Sequence, residues 1–395
     1  MIRFDEAAAL IASAADLLGI EEVPLRQAHG RVLAGPVVAQ VHSPPADVSV
    51  MDGYAVRDSD LVAGLAALPV AGESSAGRPF AGELPPGGCV RIFTGAVLPA
   101  GADRVIVQEV VERSGALARF AQAPAPERHI RRLGSDFARG DELLAEGTLL
   151  TPQALVAAAG ADIDRVRVAR RPWVRLLSTG DELVEPGMAR SSPNAIPESV
   201  SFGVAALTVE WGGRLEAAVR LPDDLPTLEQ AALESLEAAD LVVVTGGASV
   251  GERDFAKAMF GRADLELIFS KVAIKPGKPV WLGRAAGKLV LGLPGNPTSA
   301  LVTARLFLAP LLCSLTGRQP ADATAWRPMP LGQALEPVGD RETFARGYAV
   351  DGRVQLFGHQ DSSSQRVLAQ ASLLVRRRPG GQPVAAGTIV PVLNF

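Results

Sequence analysis

At 395 residues, 48% hydrophobic and 21% charged, the chain reads as globular, with length for roughly two to four domains; this excludes a disordered or collagen-like protein. A formal charge of −4 and a pI of about 5.7 argue against nucleic acid or an anionic membrane as main partner. Cys89 and Cys313 fit neither a metal spacing nor a disulfide framework, which leans cytoplasmic.

In chain order, residues 4–18 set Phe4, Ala8, Ile11, Ala15 and Leu18 at helical spacing, with Asp5 as the expected cap. The acids Asp5, Glu6 and Asp16, and the lack of a basic stretch before an apolar core, do not read as a signal peptide. No apolar run reaches the roughly 18 residues of a membrane span. From about 41 to 137, short β-like runs alternate with Gly/Pro turns: VSVMDGYAV, LPVAGESSAG, GCVRIFTGAVLP and DRVIVQEVV. Asp52 and Gly53 lie between alternating Val48, Val50 and Tyr54, Val56, which is a hairpin-turn signal. HIRRLGSDF at 129–137 sets Arg131 and Arg132 near Asp136, as in a surface salt bridge.

Residues 140–170 hold a strand-like LLAEGTLL, a helix-like TPQALVAAAGA opening on Thr-Pro, and a strand-like DRVRVAR. The β-rich part therefore reads as an insertion into a domain made from both flanks. From about 172 to 318 strands and helices alternate, which predicts a layered α/β domain with a mainly parallel sheet. Beyond Gly317 the runs ETFARGYAV, RVQLFGHQ and TIVPVLNF predict a small all-β domain. The predicted boundaries are 1–40 with 138–171, then 41–137, 172–320 and 321–395.

The stretch 241–299 carries the strongest sign of chemistry. Apolar runs at 241–244 and 289–293 suit strands buried on both faces, and each runs into a Gly/Pro turn where ligands of such sheets sit. Gly246, Gly247 and Gly251 can cradle an oxyanion, although a tight βα turn explains them equally well. In LPGNP, Pro294 and Pro297 stiffen the turn, and Thr298 or Ser299 can cap the next helix. Between these turns lie Lys271, Lys275 and Lys278. Only five of the 39 Lys and Arg side chains are lysine, all between 257 and 288. The cluster predicts point charges for phosphate or a tetrahedral oxyanion, against a solvated basic edge. Acids follow three strands: Asp181 and Glu182, Asp223 and Asp224, then Asp254. Mg2+ uses one or two such oxygens with a substrate phosphate, but turn caps are an equal reading. His29, His42, His129 and His359 have no ligand spacing.

SVMDGYAV, RIFTGAVLPAGAD, HIRRLGSD, LLSTGDEL, VVTGGASVGERDF, KVAIKPGKP and GLPGNPTSA, in this order, resemble the molybdopterin molybdenumtransferases, bacterial MoeA and the gephyrin E domain. The likeness runs from about residue 4 to the C-terminus. It implies a split N-terminal domain, an inserted β-rich domain, an α/β molybdopterin-binding domain and a C-terminal β-barrel, acting as a cytoplasmic homodimer with its site shared between subunits. The implied reaction takes adenylylated molybdopterin and molybdate, cleaves the phosphoanhydride with Mg2+, and yields molybdenum cofactor and AMP. Transient contact with other cofactor-synthesis proteins is implied too; a carrier or scaffold of the same fold is the alternative.

The matching positions imply a catalytic set of Asp52, Thr94, Glu182, Asp223, Asp254, Lys271 and Lys275. Of these, Glu182, Asp223 and Asp254 are the metal candidates. Arg131, Asp136, Thr179, Gly180, Gly246, Gly247, Ser249, Gly251, Lys278, Pro294, Gly295, Asn296, Pro297, Arg346 and Ser362 form the implied substrate-binding set. The sequence departs from the family where Val200 replaces a usual amide, His129 a usual Asn and Ser135 a usual acid. The tail VRRRPGG at 375–381 also differs from the family's apolar-Pro pattern.

Overall fold

The computed structural model describes residues 1–61, 66–121, 126–247 and 255–395. The chain forms two compact units: Met1–Glu21, Gly30–Val32 and Val168–Phe395 make one, and Glu22–His29 with Leu33–Arg167 the other.

The larger unit holds a six-stranded sheet in the order Arg214–Leu221, Trp173–Thr179, Leu241–Thr245, Lys288–Leu293, Trp281–Ala285, Glu266–Phe269. The first four strands pair in parallel and the last two antiparallel, so the expected mainly parallel sheet is present. Leu241–Thr245 is buried at every position because helices cover both faces. Its alternation divides the core: Val243 packs with Val174, Leu176, Val204 and Phe307 on one face. Val242 and Val244 pack with Leu177, Leu228 and Phe260 on the other. Leu225–Ala238 opens on Asp224, which accepts hydrogen bonds from the Thr227 amide (3.1 Å) and hydroxyl (2.5 Å).

Two expected caps are absent. Phe4–Ala14 starts after Arg3 and buries Phe4, Ala7 and Ile11, while Asp5 lies inside its first turn and pairs with Arg376 at 2.5 Å. An acid in the first turn meets the helix dipole without capping it. The helix at 297 follows Asn296, and neither Thr298 nor Ser299 caps it; the Thr298 hydroxyl instead donates to the Ser364 carbonyl at 3.3 Å. That helix continues to Leu315, and by length and composition it could cross a membrane, yet 89% of its apolar window is buried in the α/β core. It widens into a π turn at Ala304–Leu308, just before Pro310, which has no amide to donate to the preceding turn.

The C-terminal strands Arg327–Pro330, Glu342–Val350, Arg353–Leu356, Leu373–Arg377 and Ile389–Asn394 pair around a core of Leu331, Val354, Leu373, Val375 and Val392. The ring closes through the bridge between Leu331 and Val354. Ile274–Lys275 joins its edge, with Ile274 opposite Glu342 and Lys275 opposite Thr343.

The smaller unit is β-rich, ordered Arg104–Val107, Gly53–Val56, Cys89–Ile92, Ala66–Ser74, Leu117–Phe120, Val111–Ser114. MDGY is not a hairpin turn. Val48–Ser49 pairs with Ile130–Arg131, whereas Gly53–Val56 pairs with Cys89–Ile92 and Arg104–Val107, so distant strands replace the local partner. Thr151 caps Pro152–Gly160 through the Ala154 amide, as the Thr-Pro start predicts.

Candidate functional site

In the larger unit, Trp173–Thr179 leads through Val200–Glu210 to a strand on one side, and the chain then crosses to Leu241–Thr245 on the other. A crevice opens outside the carboxyl ends of strands at such a switch point. Here it is a cleft of about 960 Å³. Thr179, Gly180, Glu182 and Asp223 line one side; Gly246, Gly247, Pro294, Gly295, Asn296 and Pro297 line the other. These ten come from four separate strand ends, and all were expected at the site. Ser249, Gly251 and Asp254 lie outside the described residues.

Backbone proximity shapes the floor. Gly246 has φ of +92°, and a Cβ there would lie 2.4 Å from the Thr179 carbonyl oxygen; one on Gly295 would lie 3.3 Å from the Gly246 Cα. Only residues without side chains let these strand ends meet. Thr179 is 3% exposed and its hydroxyl has no hydrogen-bond partner among the described residues. Asp181 does not face the cleft wall: its carboxylate accepts the Asp223 amide at 3.0 Å and so ties two acid turns together. Asp224 is occupied as a helix cap, and its Thr227 hydrogen bonds hold its carboxyl below the ordinary carboxylate range. Glu182 and Asp223 remain as the described metal candidates. No group of three metal-ligating side chains converges among the described residues.

Ser363, from the loop after Arg353–Leu356, and Gln365, the first residue of the helix Gln365–Gln370, also line the cleft. Ser362 sits behind them: its carbonyl accepts the Thr298 amide at 3.2 Å and its hydroxyl accepts from Asn296 Nδ2 at 3.3 Å. Arg346 is fully buried and does not line the cleft. It donates to the Asp361 carbonyl (2.8 Å) and to Gln360 Oε1 (3.2 Å), while Gln360 donates back to the Arg346 carbonyl, so the arginine shapes the loop that carries Ser362. Lys271, Lys275 and Lys278 are exposed and have no ion pair among the described residues. The Val272 amide donates to the Lys278 carbonyl at 3.1 Å, bringing both ends of the basic loop together, and Pro279 just beyond lines the cleft.

Four expected residues belong to the smaller unit. Asp52 Oδ1 accepts both the amide and the hydroxyl of Thr94 at 2.8 Å, which holds its carboxyl below the ordinary range. The expected Arg131/Arg132 salt bridge to Asp136 does not form. Arg132 instead reaches Asp47 at 2.6 Å, and Asp136 accepts from the Ser43 hydroxyl at 3.4 Å. Arg131 is exposed on its short strand.

Three family models match successive parts of the chain: MoeA N-terminal region (domain I and II) over 2–161, probable molybdopterin binding domain over 175–313, and MoeA C-terminal region (domain IV) over 328–395. The molybdopterin molybdenumtransferase of Haemophilus influenzae is 38% identical over 386 residues, 95% of this chain and 94% of that protein. The chain belongs to the molybdopterin molybdenumtransferase family. Molybdopterin molybdenumtransferase 2 of Mycobacterium tuberculosis is 36% identical over 384 residues, 94% of each chain. The solved molybdopterin biosynthesis moeA protein of Pyrococcus horikoshii OT3 is 26% identical, with a TM-score of 0.84 across the whole of both chains. The chain is therefore an enzyme of molybdenum cofactor biosynthesis.

Two departures from the molybdenumtransferase pattern have a structural reading. His129 has φ of 51°, a left-handed conformation in which Asn and His are both enriched, so this backbone suits the histidine as well as the Asn that the resemblance led us to expect. Val200 begins its helix and is 6% exposed on the cleft wall, so an apolar surface stands where an amide is usual. Sequence reasoning missed Glu198, Ser199, Thr245, Pro279, Ser363 and Gln365, all of which line the same cleft. The signal for Glu198 was present in IPESV: an acid stands two residues before Val200, inside the family stretch that Val200 interrupts.

Proposed function

We propose that the chain inserts molybdate into adenylylated molybdopterin, with Mg2+-dependent release of AMP. The observation that carries this reading is one cleft lined by Glu182 and Asp223 together with the Gly246 and Pro294 turns. Two carboxylates and a substrate phosphate are the oxygen donors that suit Mg2+, so the residues present fit the ion, with Glu182 and Asp223 as its holders. Bound there, Mg2+ would offset charge on the phosphoanhydride oxygens. Backbone amides of the glycine turn are the natural hold for a terminal phosphate. Lys271, Lys275 and Lys278 supply uncommitted positive charge for molybdate or phosphate. Family resemblance supports a homodimer.

The test is AMP release from adenylylated molybdopterin with molybdate and Mg2+. AMP is expected only when molybdate is present, and chelation of Mg2+ abolishes it. Asp223→Ala and Lys275→Ala are each expected to lower the rate by about 100-fold or more. Undiminished AMP release by Asp223→Ala, or without molybdate, would overturn the reading. Tight pterin binding without turnover would favour the carrier.

A further inference from the structure

Every formally charged side chain on the described cleft wall is an acid: Glu182, Glu198 and Asp223. Glu198 differs from the other two in being only 6% exposed, with no basic partner among the described residues. Its Oε1 accepts the Ser201 amide at 2.9 Å and the Ser178 hydroxyl at 3.4 Å, and its Oε2 accepts the Ser201 hydroxyl. The Thr245 hydroxyl donates to Ser178 Oγ at 3.0 Å, which links this carboxylate to the end of the next strand. The Glu198 amide donates to the Val184 carbonyl at 2.8 Å, so the backbone is held as well.

Val200–Glu210 follows Ser199, whose side chain makes no capping bond, so Glu198 supplies the negative charge at this helix start. In open α/β sheets a helix start beside the crevice is a ready anion site. Here it already holds an anion of the chain itself, and a phosphate or molybdate would meet like charge. A carboxylate has about four acceptor sites. The Ser178 hydroxyl and the Ser201 amide and hydroxyl occupy three, which leaves one. The pyrimidinone ring of a pterin carries adjacent N–H donors, a ring N–H and an exocyclic amine, suited to a charge-assisted hydrogen bond.

We propose that Glu198 is a specificity-determining residue that sets the direction in which substrate lies in the cleft. Its carboxylate accepts a hydrogen bond from the pterin's N–H edge and keeps anionic groups away from the Val200–Glu210 helix start. The phosphoanhydride is thereby directed to the glycine turns, where Gly246, Gly247 and Gly295 present backbone. This inference rests on the molybdopterin reading above.

The test compares wild type, Glu198→Gln and Glu198→Asp in binding adenylylated molybdopterin without molybdate, binding AMP alone, and competition by inorganic phosphate. Glu198→Gln keeps a carbonyl acceptor for the Ser201 amide, so its thermal midpoint serves as the control for a purely structural role. Its Kd for adenylylated molybdopterin is expected to rise about tenfold, the size of one charge-assisted hydrogen bond, with AMP affinity unchanged. Phosphate is expected to compete at lower concentration in Glu198→Gln than in wild type, and Glu198→Asp to recover the exclusion. Equal Kd values for wild type and Glu198→Gln would overturn the inference alone, as would a parallel loss of AMP affinity. Wild type that binds AMP but not the adenylylated pterin would overturn the molybdopterin reading and this inference together.

Discussion

At Gly246 a single methyl group would sit 2.4 Å from the Thr179 carbonyl oxygen, on a backbone with φ of +92°. Both the clash and the dihedral oppose any L side chain, so Gly246→Ala must displace one strand end from the other. The expected cost is about 1–3 kcal/mol of stability. Pterin affinity should fall with it, because the displaced backbone is the cleft floor. Thermal unfolding and pterin titration of Gly246→Ala check both, and unchanged affinity would show that the floor tolerates a side chain. His129 illustrates the opposite case: its left-handed backbone, with φ of 51°, is one that His and Asn both adopt readily, so the side chain there is less restricted.

At the scale of elements, Asp52 joins two segments that sequence periodicity assigned to separate turns. The Thr94 amide and hydroxyl both donate to its carboxylate and hold its pKa below the ordinary 3.8. A carboxylate depressed in the folded state lends stability that is present above its unfolded value and lost as pH falls through its folded value. The Thr94 amide resonance should therefore titrate with a midpoint below 3.8, and Asp52→Asn should remove that titration. A midpoint at or above 3.8 would mean that the pair is not formed in solution. Arg346 works on the same scale. Buried under the loop that carries Ser362, it contributes to the cleft by holding other residues, which its place among expected substrate contacts did not reveal.

At the scale of the larger unit, one core underlies the sheet. Phe307 is fully buried, with ring centroids 5.8 Å from Phe4 and 6.2 Å from Phe269. It sits in the π turn of the long helix that starts at the cleft wall with Pro297. Phe307→Ala is expected to cost about 3–5 kcal/mol, read as an earlier urea midpoint for the larger unit. A loss under about 1 kcal/mol would mean that the core closes over the vacancy.

Much of this was legible in the sequence because it is written in local terms. Apolar runs set the buried strands, the Thr-Pro start set a helix, Gly/Pro turns marked the strand ends, and the confinement of lysine to one segment marked the basic loop. Only the tertiary structure decided who meets whom. Asp52 is 42 residues from Thr94, and Arg132 is 85 residues from Asp47, not beside Asp136. Glu198 reaches Ser178 across 20 residues and becomes part of the cleft only once strand and helix are packed. Periodicity and turn chemistry act over a few residues, whereas these pairings follow from the order in which strands lie side by side, which no local spacing encodes.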